Sequence, residues 1–159
     1  MQFISGLKKP ENSCTIMLKK IILFLLFAMM TIGAASAVDQ TSFKVPSDFE
    51  DIGDGVYVIY DSLKNPDEVL SVVKYNEHDW ADYITNDTTN KYVVYKGENN
   101  TYNFTDGSVN EVGSFELVEV EGSKFIIDFA KSGKESDLSK TNADMLEFNK
   151  LNNIKPMEK

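Results

Sequence analysis

The sequence is poor in the residues that carry most catalytic and metal-binding chemistry. Its 159 residues include one cysteine, Cys14, one histidine, His78, and no arginine. A single cysteine excludes an intrachain disulfide, and a chain without arginine lacks the planar group that clamps phosphate or carboxylate through two hydrogen bonds. A zinc site at His78 would need at least two further ligands. We therefore expect stability to come from a hydrophobic core, with no catalytic residue, bound metal or cofactor.

An apolar run preceded by basic residues stands near the start of the chain. Lys19 and Lys20 precede residues 21–32, and small residues follow as far as an Ala-Ser-Ala ending at Ala37. This order is typical of a secretory signal peptide. We predict cleavage between Ala37 and Val38. The predicted segments are an upstream extension over residues 1–16, the signal peptide over residues 17–37 and a single mature domain over residues 38–159.

The apolar run has a second interpretation, an uncleaved helix that anchors the domain in a membrane. Extended to residue 38 it has about the length that spans a bilayer. The Ala-Ser-Ala ending favours cleavage, after which no membrane span remains. Under both interpretations we expect the domain to be secreted or held at the cell surface.

The charge of the chain argues against anionic partners. The whole sequence has a net charge of −9, and removal of the four lysines and one glutamate ahead of Val38 leaves about −12. A field of this sign repels nucleic acid and anionic lipid head groups. We expect no nucleic-acid partner.

Short apolar runs separated by turn residues indicate an α+β domain with an antiparallel sheet. Strands are predicted over residues 56–60, 69–75, 92–95 and 101–104, with a helical turn over residues 78–84. A hairpin is predicted over residues 114–130, with Gly122 and Ser123 in a type II′ turn and Glu121 opposite Lys124. In that register one face carries five core residues: Val118, Val120, Phe125, Ile127 and Phe129. A three-residue loop, which would pair Phe115 with Phe129, is the alternative.

A helix that covers one face of the sheet is predicted at the C-terminus. Thr141 and Asp144 have the spacing of a capping box, so the helix is expected to begin there. Asn152 and Asn153 are candidates for a left-handed C-cap, and Pro156 prevents continuation. Met145 and Phe148 are expected on the sheet-facing side, with Leu151 as a further candidate.

Four segments occur in the same order as in small secreted proteins of methanogenic archaea, which the chain resembles. They are Phe-Lys-Val-Pro from residue 43, Gly-Val-Tyr-Val from residue 55, Phe-Glu-Leu-Val-Glu-Val-Glu-Gly from residue 115 and Phe-Asn-Lys-Leu-Asn from residue 148. The layout is also similar to that of PsbP/Mog1-like α+β domains. The first resemblance brings no functional motif, and the second implies a binding module.

Two groups of residues offer alternatives to simple binding. His78 is flanked by Glu77 and Asp79, and we expect a solvent-facing side chain with no nucleophile motif beside it. A cell-envelope hydrolase would instead need carboxylates that meet in a cleft. The oxygen-rich segments 50–54 and 105–111 are each candidate Ca²⁺ loops, although neither has the EF-hand spacing. The third hypothesis, a calcium-dependent adhesion or structural module, requires oxygen ligands from the Asp51 and Asp106 loops to converge.

Aromatic residues and N-glycosylation sequons complete the set of candidates. Asn86, Asn99 and Asn103 each begin an Asn-x-Thr sequon. The chain has seven tyrosines and one tryptophan, for which core filling competes with a role in binding. We predict a non-catalytic domain that binds an extracellular protein or a polysaccharide.

Overall fold

The computed structural model describes residues 40–89, 91–155 and 157. The predicted signal peptide and the Ala37–Val38 cleavage site lie outside these residues. The described part folds as one seven-stranded antiparallel sheet with two α-helices, which confirms the predicted α+β class. Within it, no helix is both long and apolar enough to cross a membrane. In chain order the elements are β1 (Glu50–Gly53), β2 (Val56–Tyr60), β3 (Pro66–Lys74), α1 (Glu77–Ile84), β4 (Tyr92–Lys96), β5 (Tyr102–Asp106), β6 (Glu111–Val120), β7 (Ser123–Ser132) and α2 (Leu138–Asn152).

The sheet is built from two meanders that meet at β3 and β7. Strands β1, β2 and β3 follow one another across one half, and β4, β5, β6 and β7 follow one another across the other. Helix α1 carries the chain from β3, in the middle of the sheet, to β4 at the far edge. The spatial order is therefore β1-β2-β3-β7-β6-β5-β4, and α2 follows β7 back over the sheet.

Helix α2 and the segment before β1 cover one face of the sheet. The ring of Phe148 lies 6.1 Å from Phe129 and 5.7 Å from Phe43, centroid to centroid. Burial of each such ring contributes roughly 2–3 kcal/mol. Met145 and Phe148 face the sheet as predicted, whereas Leu151 is 37% exposed. The buried cluster on this face consists of Phe43, Tyr57, Leu70, Val72, Val118, Phe125, Ile127, Phe129, Met145, Phe148 and Ile154.

The opposite face is closed by α1 and by aromatic side chains of the sheet. Trp80 of α1 packs edge-on against Tyr102 and Phe115, at centroid distances of 5.7 and 5.8 Å. Tyr83 lies 5.1 Å from Phe115. Edge-to-face and offset ring pairs of this kind each add about 1 kcal/mol beyond area burial. The second cluster therefore has Phe115 at its centre.

The hairpin between β6 and β7 turns one residue earlier than predicted. Glu119, not Glu121, pairs with Lys124, so Glu121 and Gly122 form the two-residue turn. Both residues have positive φ, 51° and 79°, as a type I′ turn requires, and the predicted type II′ turn at Gly122-Ser123 is wrong. Glycine is favoured at the second position of a type I′ turn, which is where Gly122 lies.

The predicted faces of the hairpin are nevertheless correct. The observed register differs from the prediction by two residues, and side chains alternate with a period of two, so none changes face. The alternative pairing of Phe115 with Phe129 does not occur, because Phe115 pairs with Asp128. The five residues predicted to share a core face all contribute to the cluster under α2: Val118, Val120, Phe125, Ile127 and Phe129.

Helix α2 begins three residues before the predicted cap. Leu138 is its first residue, and a short 3-10 turn, Glu135–Asp137, leads into it. Thr141 is an interior residue with no exposed surface, and its hydroxyl donates to the carbonyl of Leu138 at 3.2 Å. The capping-box interpretation is therefore wrong. The C-terminal end is as predicted, since Asn153 adopts the left-handed conformation with φ of 53°.

Candidate functional site

One row of side chains runs from beneath α2 to the β4 edge of the sheet. Phe129 pairs with Ser114, Ser114 with Asn103, and Asn103 with Tyr95. Directly opposed residues share a face, so all four lie on the α2 side. Phe129 is in the core under the helix, whereas Tyr95 is half-buried at the uncovered edge. The side chains of the row change from apolar to polar where α2 no longer covers the sheet.

One flank of α2 faces the uncovered strands. The amide oxygen of Asn142 lies 2.9 Å from the Ser114 hydroxyl. Leu146 follows Asn142 by four residues and precedes Asn149 by three, so these three residues lie on the same flank of the helix. Leu146 is 51% exposed, although it is a large apolar residue.

Together these residues form a surface beside the helix that we call the ledge. On the sheet, Val93 pairs with Thr105 on the α2 face, one step along from the Tyr95 row. Val93 is 47% exposed, and the other sheet residues of the ledge are half-buried. The ledge comprises Val93, Tyr95, Thr105, Asn142 and Leu146. It combines apolar and aromatic surface with amide and hydroxyl groups.

A hydroxyl network beneath the ledge joins α2 to strands β6 and β5. The Ser114 hydroxyl lies 2.7 Å from that of Thr141 and 2.9 Å from the amide oxygen of Asn103. Ser114 and Thr141 have no exposed surface, and Asn103 is 8% exposed. These hydrogen bonds fix the distance between the helix and β5, because a buried polar group left without a partner costs about 1–3 kcal/mol.

Glu116 is fully buried beneath the same flank of α2. Its Oε2 atom accepts a hydrogen bond from the Thr101 hydroxyl at 3.4 Å. Burial raises the pKa of Glu116 to about 7, and hydrogen bonds from Asn149 and Thr101 oppose the rise. Among the described residues, neither Oε1 of Glu116 nor Oδ1 of Asn149 has a hydrogen-bond partner. A protonated Glu116 would supply a hydrogen to this region that the ionised form lacks.

A second buried acid lies on the other flank of α2. Glu68 of β3 is 1% exposed, and its Oε2 accepts a hydrogen bond from Lys140 at 3.3 Å. Lys140 also contacts Asp144. Burial, together with the neighbouring Asp144 carboxylate, raises the pKa of Glu68 to about 7, while Lys140 lowers it. The three groups tie α2 to the middle of the sheet.

The third buried acid, Asp128, lies under α1. The Tyr83 hydroxyl donates to its Oδ2 atom at 3.3 Å, and Tyr92 in turn donates to the Tyr83 carbonyl at 3.1 Å. Burial raises the pKa of Asp128 well above its usual range, with a further contribution from Glu111. Sequence reasoning missed the burial of Glu68, Glu116 and Asp128, because an acidic residue in a strand looks the same whether its face is covered or solvated.

The structure places His78 and its acidic neighbours at the start of α1. The His78 side chain is 82% exposed, and its Nδ1 atom lies 3.7 Å from Asp82 Oδ2. Asp79 contacts the side chain of Asn76, which caps the helix by accepting from the Asp79 backbone N–H at 2.8 Å. Glu77 and Asp79 lie in the first turn of the helix, where negative charge is favourable.

The two oxygen-rich segments lie far apart. Strand β1, which contains Asp51, is separated from β5, which ends at Asp106, by four intervening strands, or about 24 Å at the usual strand spacing. Asp51 accepts from the backbone of Gly53, and Asp106 from that of Ser108, each at 2.8 Å. Across the described residues there is no group of three or more His, Cys, Asp or Glu side chains able to hold a metal ion. The convergence that the calcium hypothesis requires does not occur.

Most of the tyrosines belong to the core. Tyr75, Tyr83, Tyr92 and Tyr102 pack with Trp80 in the cluster under α1, and Tyr57 is buried under α2. Tyr95 is the aromatic residue that the fold places on the ledge.

Comparison with protein-family models, curated proteins and solved structures finds no match for this chain.

Proposed function

We propose that the chain is an exported domain, secreted or held at the cell surface, which binds an uncharged polysaccharide at the ledge without catalysing a reaction. The leader-like start of the sequence supports export, and the ledge is a surface where aromatic, aliphatic, amide and hydroxyl groups meet. The leader interpretation places the start of the mature chain at Val38.

The composition of the ledge supports a sugar ligand. Sugar rings present apolar C–H faces and a rim of hydroxyls, which are matched by side chains such as those of Tyr95 and Leu146 and by the amide of Asn142. Val93 and Leu146 are each about half exposed and border the polar groups of the ledge. The hydroxyl network beneath holds these polar groups in a fixed position before a ligand arrives.

Charge and edge structure favour this ligand over the alternatives. A mature chain with a net charge of about −12 repels polyanions, so a neutral polysaccharide fits better than an anionic one. A protein partner that added a strand would need a free sheet edge. The outer edge of strand β4 already has backbone partners. Tyr92 exchanges backbone hydrogen bonds with Asp87, and Asn86 accepts from the Val94 N–H at 2.7 Å.

Binding can be tested with purified protein beginning at Val38 and a panel of neutral and anionic polysaccharides in affinity electrophoresis and titration calorimetry. Tyr95→Ala and Leu146→Ala should each weaken binding by ~10-fold or more. Leu151→Ala is the matched control, because Leu151 is an exposed leucine on the other flank of α2. Equal losses in all three variants, binding only to anionic polymers, or binding only to a cell-surface protein would each contradict the proposal.

Export is tested separately by N-terminal sequencing of protein recovered from its native host. The expected sequence starts at Val38. A membrane-bound form that retains residues 21–32 would show that the apolar run is an anchor.

A hydrolase is the second candidate, and the Glu68–Asp144 pair is the observation in its favour. Two adjacent carboxyl groups with a raised pKa at Glu68 are a feature of some acid–base sites. Three facts weigh against it: Glu68 is 1% exposed, Lys140 contacts both acids, and carboxylates in direct contact leave no room for the bond that a glycosidase cleaves between them. Turnover of a glycoside that is lost in Asp144→Asn but kept in Glu147→Gln would establish the hydrolase.

A further inference from the structure

The three sequons differ in the solvent exposure of their asparagines. Asn86 and Asn99 are exposed, whereas Asn103 is 8% exposed. An N-linked oligosaccharide is bulky and hydrophilic, so it is compatible only with an asparagine whose amide nitrogen reaches solvent.

Asn99 and Asn103 form a matched pair four residues apart. Asn99 lies in the turn between β4 and β5, with φ of 53° and an exposed side chain. The turn is closed by a hydrogen bond from the Gly97 N–H to the Thr101 carbonyl at 2.8 Å, which does not involve the Asn99 side chain. A glycan on Asn99 therefore displaces no contact of the turn.

The amide of Asn103 is built into the hydroxyl network. Its Oδ1 atom lies 2.9 Å from the buried Ser114 hydroxyl. Its Nδ2 atom is 2.6 Å from the position that a Cβ on Gly97 would occupy, so even one methyl group does not fit beside it. A sugar on this nitrogen would have to displace the β4–β5 turn at Gly97.

The contact that the structure shows for the Asn86 side chain is made by its amide oxygen. Oδ1 of Asn86 accepts from the Val94 N–H at 2.7 Å. An N-linked glycan is attached through Nδ2 and leaves the oxygen free to accept this bond. The exposed Asn86 side chain is therefore compatible with modification.

We propose that the exported chain carries N-linked oligosaccharides on Asn86 and Asn99 and none on Asn103. The donor is an oligosaccharide carried on a lipid pyrophosphate. The amide Nδ2 forms a bond to the anomeric carbon, the bond from that carbon to the pyrophosphate oxygen breaks, and the amide loses one proton. The lipid pyrophosphate is the leaving group, and no oxidant or reductant is needed.

The test is glycopeptide mass spectrometry of the full protein recovered from its native host, with the N-terminus read from the same sample. Peptides containing Asn86 and Asn99 should carry glycan mass, and the peptide fragment containing Asn103 should have its unmodified mass. Asn99→Gln should remove one glycan from the intact mass, whereas the matched variant Asn103→Gln should leave the number of glycans unchanged.

Two results would overturn the proposal, and they have different consequences for the proposed function. Protein that begins at Val38 but has unmodified Asn86 and Asn99, or a glycan on Asn103, refutes the glycosylation sites while leaving export intact. Unmodified protein that keeps its leader inside the cell refutes glycosylation and export together. Neither result depends on whether the ledge binds a polysaccharide.

Discussion

The face of the sheet under α1 is closed by aromatic rings, whereas the face under α2 is apolar along β7 and polar along β5. Phe115, at the centre of the first face, contacts the rings of Trp80, Tyr83, Tyr102 and Phe104. On the second face the corresponding space beside the helix contains hydroxyl and amide groups with a buried acid. The first face is therefore a core, and the second is part core and part candidate binding surface.

The size of the helices explains this difference. Helix α1 has eight residues and contributes Trp80 as its buried residue, so the sheet supplies most of the rings that cover it. Helix α2 has fifteen residues, but a helix about 10 Å wide covers only about two strands spaced about 4.8 Å apart. It lies over β6 and β7, and the side chains of β4 and β5 on that face must therefore tolerate water.

The largest expected effect tests whether the two faces contribute equally to stability. Phe115→Ala and Phe129→Ala should each lower the free energy of unfolding by about 3–5 kcal/mol, because both rings have no exposed surface and leave cavities in packed clusters. Urea unfolding monitored by circular dichroism measures the loss. Leu63→Ala, at a residue that is 79% exposed, is the control and should change stability by less than about 0.5 kcal/mol. A loss at only one of the two phenylalanines would mean that one face is loosely packed.

The next effect concerns pH and the acids under α2. Glu68 and Glu116 have ordinary pKa values of 4.5 and folded-state values of about 7. Between these two pH values the folded chain therefore binds more protons than the unfolded chain. Stability should therefore be greatest below about pH 4.5 as far as these groups are concerned, and fall as the pH rises to about 7. Glu116→Gln should raise the free energy of unfolding by about 3 kcal/mol at pH 8 and by less than about 1 kcal/mol at pH 5.

The control for this experiment is Glu119→Gln, on the same strand but exposed to solvent. It should leave the pH dependence of unfolding unchanged. If Glu116→Gln destabilised the protein equally at both pH values, the ionised form of Glu116 would be the one that the fold requires.

A smaller effect tests the hydroxyl network that links the two parts of the second face. Thr141→Val keeps the shape of the side chain but removes the donor to Leu138 and the contact with Ser114, which should cost about 1 kcal/mol. Thr141→Ser keeps the hydroxyl and should recover that part of the loss. Thermal unfolding of the two variants measures the difference. A similar loss in both would assign the effect to packing of the methyl group.

The smallest effect lies on the outer side of α1. His78→Ala removes an exposed side chain whose contact with Asp82 is solvent-screened, so the change in unfolding free energy should be less than about 0.5 kcal/mol. The same denaturant titration measures it. A larger loss would indicate that His78 makes a stabilising contact beyond its weak pairing with Asp82.

The local sequence was sufficient to predict several elements. Strand β2 has the predicted bounds, residues 56–60, because alternating β-branched and aromatic residues between two turns leave little choice of conformation. The faces of the β6–β7 hairpin were correct even though its turn was not, since a two-residue error preserves the alternation. The left-handed cap at Asn153 was also predicted, because few residues other than glycine and asparagine adopt that conformation readily.

Tertiary structure decided what the neighbouring sequence does not encode. Strand β1 was missed, since its four exposed residues have no apolar pattern and are held by pairing with β2. The start of α2 was misplaced because Thr141 makes its hydrogen bonds inside the helix and to Ser114 on a distant strand. Glu116 and Glu119 are indistinguishable along the chain, yet the first is buried and the second exposed. Burial is the sum of contacts between segments far apart in sequence, so only the folded sheet determines which acids are buried and where the ledge lies.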